Sequence, residues 1–145
     1  KENREALDLK DLEITVADGV ATLSGTARDF TARVHAEDIA GTVLGATRIV
    51  NRLRPGNAPS GTNDISTRQA IINYLRDFRE FAYPCDIQVA VTDGAARLSG
   101  SVAIYLARQQ AGVMAAFVGG VKSVDNRIEI DPGLEEESTT VTEAK

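Results

Sequence analysis

The 145-residue chain contains one Cys, one His, one Met and no Trp. A single Cys leaves no disulfide framework within the chain, and one Cys with one His leaves no His/Cys metal cluster. No apolar run approaches the roughly 18 to 20 residues that span a bilayer, and no signal-peptide pattern opens the chain. The first residue is Lys1 rather than Met, as expected of a processed or trimmed chain. Basic residues form no stripe of the kind that phosphate-backbone binding requires, so no nucleic-acid partner is expected. No pair of titratable groups recurs with catalytic spacing, which points away from an enzyme and from a cofactor. Aromatics are scarce, at 5%.

What is present is ordinary globular material, 43% apolar and 26% charged. The length suits one domain or two small ones of roughly 70 residues. The net charge of −5 is uneven: residues 1–63 and 64–131 each carry −1, and residues 132–145 carry −3. Glu135, Glu136 and Glu137, followed by Ser138, Thr139 and Thr140, bury too little apolar area to offset ordering entropy. Residues 132–145 are therefore expected to be a disordered acidic tail.

Sliding the sequence along itself reveals a repeat. At an offset of 75 residues, Ile14 to Leu53 align with Val89 to Ile128 without a gap, and 15 of the 40 pairs are identical. Chance identity would be roughly one in fifteen at average composition. The chain is thus two copies of one small unit. Between them, Pro55-Gly56-Asn57-Ala58-Pro59-Ser60-Gly61-Thr62-Asn63 is turn chemistry throughout. The expected division is a first domain over 1–55, a linker over 56–63 and a second domain over 64–131.

Each copy has the same grammar. Ile14 to Ala17, Asp18-Gly19, then Val20 to Leu23 reads as a β-hairpin, because Asp-Gly suits the positive φ angles of a type I′ turn. A two-residue loop sets Ala17 opposite Val20, Val16 opposite Ala21 and Ile14 opposite Leu23, placing Ile14, Val16, Ala21 and Leu23 on one face. The second copy repeats this around Asp93-Gly94, with Val89, Val91, Ala96 and Leu98 sharing a face. A helix follows: Ala32, Ala36, Ile39, Ala40 and Val43 recur at the 3.6-residue period, matched by Ala107, Ala111, Met114, Ala115 and Val118. Gly45 and Gly120 read as helix stops, and Gly25 and Gly100 close the hairpins. A last strand carries Asn51 or Asn126, whose side chain is expected to bond a neighbouring loop. In the second copy another helix precedes the hairpin, from about Ser66 to Phe81, capped by Ser66 or Asp64 and burying Ile71, Leu75, Phe78 and Ala82. In the first copy that helix is expected to fall mostly upstream of Lys1. The fold class is therefore α+β: two tandem αββαβ units, each a three-stranded mixed sheet with helices packed on one face.

Hydrophobic-x-Val-x-Asp-Gly-hydrophobic-x-x-Leu-Ser-Gly, an Ala-rich helix, then Gly-hydrophobic-x-x-hydrophobic-x-Asn-x-hydrophobic resembles the BON domain of bacterial osmotically inducible periplasmic and secreted proteins. Here the runs are Ile14 to Gly25 with Gly45 to Leu53, and Val89 to Gly100 with Gly120 to Ile128. The resemblance covers residues 6–55 and 64–131. Ala46 and Ala95 depart from it, standing where the family usually has Val. The likeness implies a non-enzymatic envelope module, periplasmic or secreted, described as phospholipid-binding and linked to osmotic or membrane stress. It supplies no catalytic residues. Its partners would be a phospholipid membrane surface or envelope proteins.

Among individual residues, His35 is the single histidine in the sequence and reads as an ordinary helix residue. Cys85 reads as a small buried hydrophobe, with a reactive or intermolecular thiol as the alternative. One cluster points to a partner: Tyr74, Phe78, Phe81 and Tyr83 lie on one helix and its exit with Arg76 and Arg79 between them, holding four of the seven aromatics. Rings beside arginines suit a membrane interface, where apolar bodies enter the acyl boundary and cations meet lipid phosphates. Phe78 also fits the core, with Ile71 and Leu75. Asp77 and Glu80 offset the two arginines, so a lipid contact here is expected to be weak. The competing reading is a protein-interaction or chaperone-like scaffold that engages polypeptides through exposed strand edges or hydrophobic helix surface.

Overall fold

A computed structural model describes residues 9–43, 45–77, 85–134 and 139–144. The chain divides into two compact units, Lys1–Ala58 and Pro59–Lys145. Residues 1–8, where a remnant of the first helix is expected, lie outside the described residues.

In the first unit, strands β1 (Lys10–Ala17) and β2 (Val20–Ala27) form the expected hairpin, with Ile14, Val16 and Ala17 opposite Leu23, Ala21 and Val20. Asp18 and Gly19 both adopt positive φ, 52° and 78°, as a type I′ turn requires. Helix α1 (Phe30–Val43) starts on Asp29, whose carboxylate accepts the Ala32 amide at 2.8 Å. It then returns the chain to β3 (Arg48–Pro55), which runs parallel to β2. The strand order is β1-β2-β3, a mixed three-stranded sheet. Ala36 and Ala40 let α1 lie close over Leu23 and Leu53, and Leu9, Leu12 and Ile49 pack against that cluster.

The second unit repeats this plan and adds to it. Residues 59–61, expected in a linker, are bonded into the unit instead: the Gly119 amide donates to Pro59 and the Gly61 amide to Gly119. Helix α2 (Asp64–Asp77) follows, with its cap on Asn63 rather than on Ser66 or Asp64. The Asn63 carboxamide accepts the Ser66 amide at 2.9 Å, while Ser66 Oγ accepts the Asn63 amide at 3.1 Å, a reciprocal capping box. The Asp64 carboxylate turns outward from the helix start and accepts the Asp93 and Gly94 amides, seating α2 on the hairpin turn. Thr67, Ile71, Ile72 and Leu75 are buried. Residues 78–84, including the expected core positions Phe78 and Ala82, lie outside the described residues.

Strands β4 (Cys85–Thr92) and β5 (Ala95–Val102) form the second hairpin in the expected register. Helix α3 (Tyr105–Phe117) buries Ala107, Ala111, Met114 and Ala115. Gly120 then turns at φ 102°, where a Cβ would strike Thr67 and Gly61, so close packing as well as helix termination selects glycine. The returning chain forms β6 (Ser123–Asn126) and β7 (Glu129–Ile130), two pieces along β5 that together correspond to β3.

The expected tail and strand count are both corrected by β8 (Thr139–Glu143), which pairs parallel to β4. The sheet order becomes β6-β5-β4-β8. Composition over the whole tail conceals Thr-Thr-Val-Thr, a β-branched run with strand preference. Burying Val141 and pairing with an existing edge is enough to hold it.

Candidate functional site

The two repeats place their shared residues in the same framework. In the second unit, Arg108 reaches from α3 to the last strand, its Nε donating to Ile128 at 2.8 Å and its Nη2 to Asn126 at 3.1 Å. Asn126 answers by donating to the Arg108 carbonyl and accepting the Ile128 amide. Arg33 and Asn51 make the same four bonds in the first unit, with Leu53 in place of Ile128. Asn51 and Asn126 therefore join helix to strand rather than bonding a loop. Gly25 and Gly100, at φ 125° and 101°, pass where a Cβ would collide with the carbonyls of Lys10 and Asp86 on the facing strand. Asp18, Gly19, Asp93 and Gly94 form the turns, and Gly45 ends α1 at φ 62°. All ten repeat residues have structural roles.

The surface chemistry gathers on the α2 side of the second unit. Of the sequence cluster, Tyr74 and Arg76 lie on α2, Tyr74 half-buried and Arg76 exposed; Phe78, Arg79, Phe81 and Tyr83 lie outside the described residues. Arg76 also makes a contact that the sequence did not announce, its Nε donating to the Val141 carbonyl of β8 at 3.0 Å. Two turns earlier on the same helix, Arg68 meets Glu143 at 2.8 Å. Thr140 donates to Asp86 at 2.9 Å, and the Ala144 amide donates to Val89 at 2.9 Å. Between helix and strand lies an open groove of about 490 Å³, lined by Gln69, Ile72, Arg76, Thr142 and Glu143.

Cys85 starts β4 beneath this arrangement and is buried, its Sγ 4.0 Å from the Thr140 carbonyl. Burial pushes its thiol above the ordinary value of 9.0; the Thr140 backbone opposes the rise and Asp86 adds to it. The thiol is therefore protonated and unreactive at neutral pH. His35 is exposed on α1. Among the described residues no group of three His, Cys, Asp or Glu side chains could hold a metal ion, and no helix is long and apolar enough to cross a membrane.

Exposed apolar side chains in this unit escaped the sequence reading: Ile65 on α2, Tyr105 and Leu106 opening α3, and Ile130 on β7. Their signal was a difference between copies. Tyr105 aligns with Phe30, which is buried and stacks with Arg33 at 5.6 Å in the first unit.

The BON domain family matches this chain over residues 2–56 and 70–132. The chain belongs to that family, as a tandem of two BON domains. Membership supports a non-catalytic, envelope-related role, since BON domains occur in periplasmic and envelope proteins and are generally non-enzymatic. No curated protein matches the chain. Among solved structures it is similar to the C-terminal domain of CdsD, a structural protein of the type III secretion system of Chlamydia trachomatis. That likeness is 15% identical with a TM-score of 0.39, over 83% of this chain and 57% of that one. A second structure of CdsD gives the same identity and TM-score over 91% and 61%. This chain thus spans less than two thirds of either, and a likeness at that level carries no argument about function.

Proposed function

We propose that this chain is a non-catalytic envelope protein, periplasmic or secreted, whose second BON domain makes weak contact with phospholipid surfaces under osmotic or envelope stress. The observation that carries this reading is the two-sided build of α2. Thr67, Ile71, Ile72 and Leu75 face inward, and Arg76 stands exposed in the last turn. Phe78, Arg79, Phe81 and Tyr83 follow directly in the chain. With Tyr74 they combine ring bodies and guanidinium groups in the way that a headgroup boundary accommodates. Exposed Ile65, Tyr105, Leu106 and Ile130 add apolar surface to the same unit. Asp77 and Glu80 temper the positive charge, so the contact is hydrophobic first and electrostatic second.

Co-sedimentation with neutral and anionic liposomes, at low and physiological salt, tests the proposal. Saturable binding is expected, and it should be lost when Arg76, Arg79 and Phe81 are replaced together by Ala. Full binding by that variant, folded by circular dichroism, contradicts the assignment of the contact.

A second reading, polypeptide binding at a strand edge, is favoured by one specific observation: β4 already carries an added strand, β8, laid against it under α2.

A further inference from the structure

The edge of β4 is built as an acceptor for an extended chain. Pairing with β8 is regular for five consecutive residues, from Cys85 with Thr139 to Val89 with Glu143. The helix α2 flanks that added strand, and its two arginines bind it in different ways. Arg76 takes the Val141 carbonyl, which any sequence would present. Arg68 takes the Glu143 carboxylate, which only an acidic residue would present. Val141 fills an apolar slot opposite Ile87. Main-chain pairing for affinity and side-chain positions at alternate residues for selectivity are the anatomy of strand-addition binding sites.

Two details separate this edge from an ordinary sheet border. The corresponding strand of the first unit, β1, has a bulge between Lys10 and Glu13, with Asp11 at φ 53°, and carries no added strand among the described residues. A bulge is a common device for blunting an edge; β4 has none and stays open to pairing. In addition, Arg68 Nε is buried with no hydrogen-bond partner among the described residues, while its Nη2 holds Glu143. The chain's own tail leaves half of that guanidinium edge unused, whereas a carboxylate seated squarely on it would take both donors.

We propose that the edge of β4 flanked by α2, the groove in which β8 itself lies, is a peptide-binding site. Its occupant is an extended polypeptide segment that enters parallel to β4 with a β-branched apolar residue in the Val141 slot and an acidic residue two positions later, on Arg68. Residues 139–143 of the chain are the built-in occupant. They are tethered close to the groove, so they hold it at high effective concentration and a foreign segment must displace them. The proposal rests on the strand-edge reading and not on lipid contact.

The test is fluorescence polarisation of a labelled peptide of residues 137–145 added to the full chain without lipid. Val141→Asp ejects the cis strand, as does Thr142→Pro, which a paired strand does not accommodate and which places no charge near the core. Either folded variant is expected to bind the peptide at least about tenfold more tightly than the unmodified chain, because the competent fraction rises. Adding Arg68→Glu should weaken that binding about tenfold, and a peptide carrying Glu143→Lys should restore it. Binding unaffected by a Val141→Asp change in the peptide overturns the proposal, as does no binding to either folded variant. Tail exchange between copies, seen as a dimer of the unmodified chain that both variants abolish, would assign the groove to a second copy and overturn the foreign partner.

Discussion

Arg108 and Asn126 form the most economical structural device in the molecule. Three bonds join α3 to the chain beneath it and a fourth, from the Ile128 amide to Asn126, braces that chain itself; Arg33 with Asn51 repeats all four. A guanidinium spans two carbonyls that a single ammonium cannot. Arg108→Ala is expected to lower stability by about 2 kcal/mol, with Arg108→Lys recovering less than half, as read from urea unfolding monitored on the second unit. A loss below about 0.5 kcal/mol would contradict this role. Both residues stood out in the sequence by repeating, yet repetition alone did not say what they touch. The partner of each side chain is fixed by the crossover of α3 over the sheet, which local spacing does not encode. Cys85 gives the pH dependence at this scale. Its thiol is raised in the folded chain, chiefly by burial, so folding favours the protonated form. The associated stability is full below the ordinary value of 9.0 and is lost as pH climbs through the raised one. Urea midpoints should therefore fall further between about pH 8 and about pH 10 in the unmodified chain than in Cys85→Ala. An equal fall in both would contradict a buried, protonated thiol.

Elements were legible in proportion to how locally their causes lie. The two hairpins follow from period-2 alternation and Asp-Gly, and their registers agree with the pairing residue for residue. The alanine stripes of α1 and α3 likewise depend on 3.6-residue spacing alone. Three features needed the tertiary structure. The cap of α2 falls on Asn63 because Asp64 is committed to the β4–β5 turn, a contact 29 residues away. Strand β8 has too few apolar residues to form by itself; it exists because β4 offers an unpaired edge and α2 supplies Arg68 and Arg76. The faces of equivalent strands also differ. Val89 is 0% exposed under the second unit's helices, whereas its counterpart Ile14 is 46% exposed. The alternating pattern assigns both to the inner face, but the pattern cannot state whether a helix covers that face. Of the candidate contact cluster, the sequence placed Tyr74 and Arg76 on one helix, and both lie on α2. The engagement of Arg76 with β8 was not visible from it.

At the scale of the molecule, duplication has been followed by divergence. Both BON units keep the turns, the arginine–asparagine clasp and the mixed three-stranded core sheet. Only the second, among the described residues, gains an extra strand, and it also bears the arginines that hold it. Both proposed contacts, with lipid and with an extended peptide, meet on the α2 side of that unit, and Arg76 serves in each. The proposed peptide site requires β8 to be part of the folded second unit. Native-state hydrogen exchange, followed by mass spectrometry or amide resonances over the whole chain at neutral pH, tests this most directly. The amides of Thr140, Thr142 and Ala144, which the parallel register turns toward β4, with that of Ala144 bonded to Val89, are expected to exchange at least about a hundredfold more slowly than in an unstructured peptide of the same sequence. Val141→Asp should remove this protection while leaving β5 protected. Exchange of these three amides at the unstructured rate in the unmodified chain would contradict the proposed site.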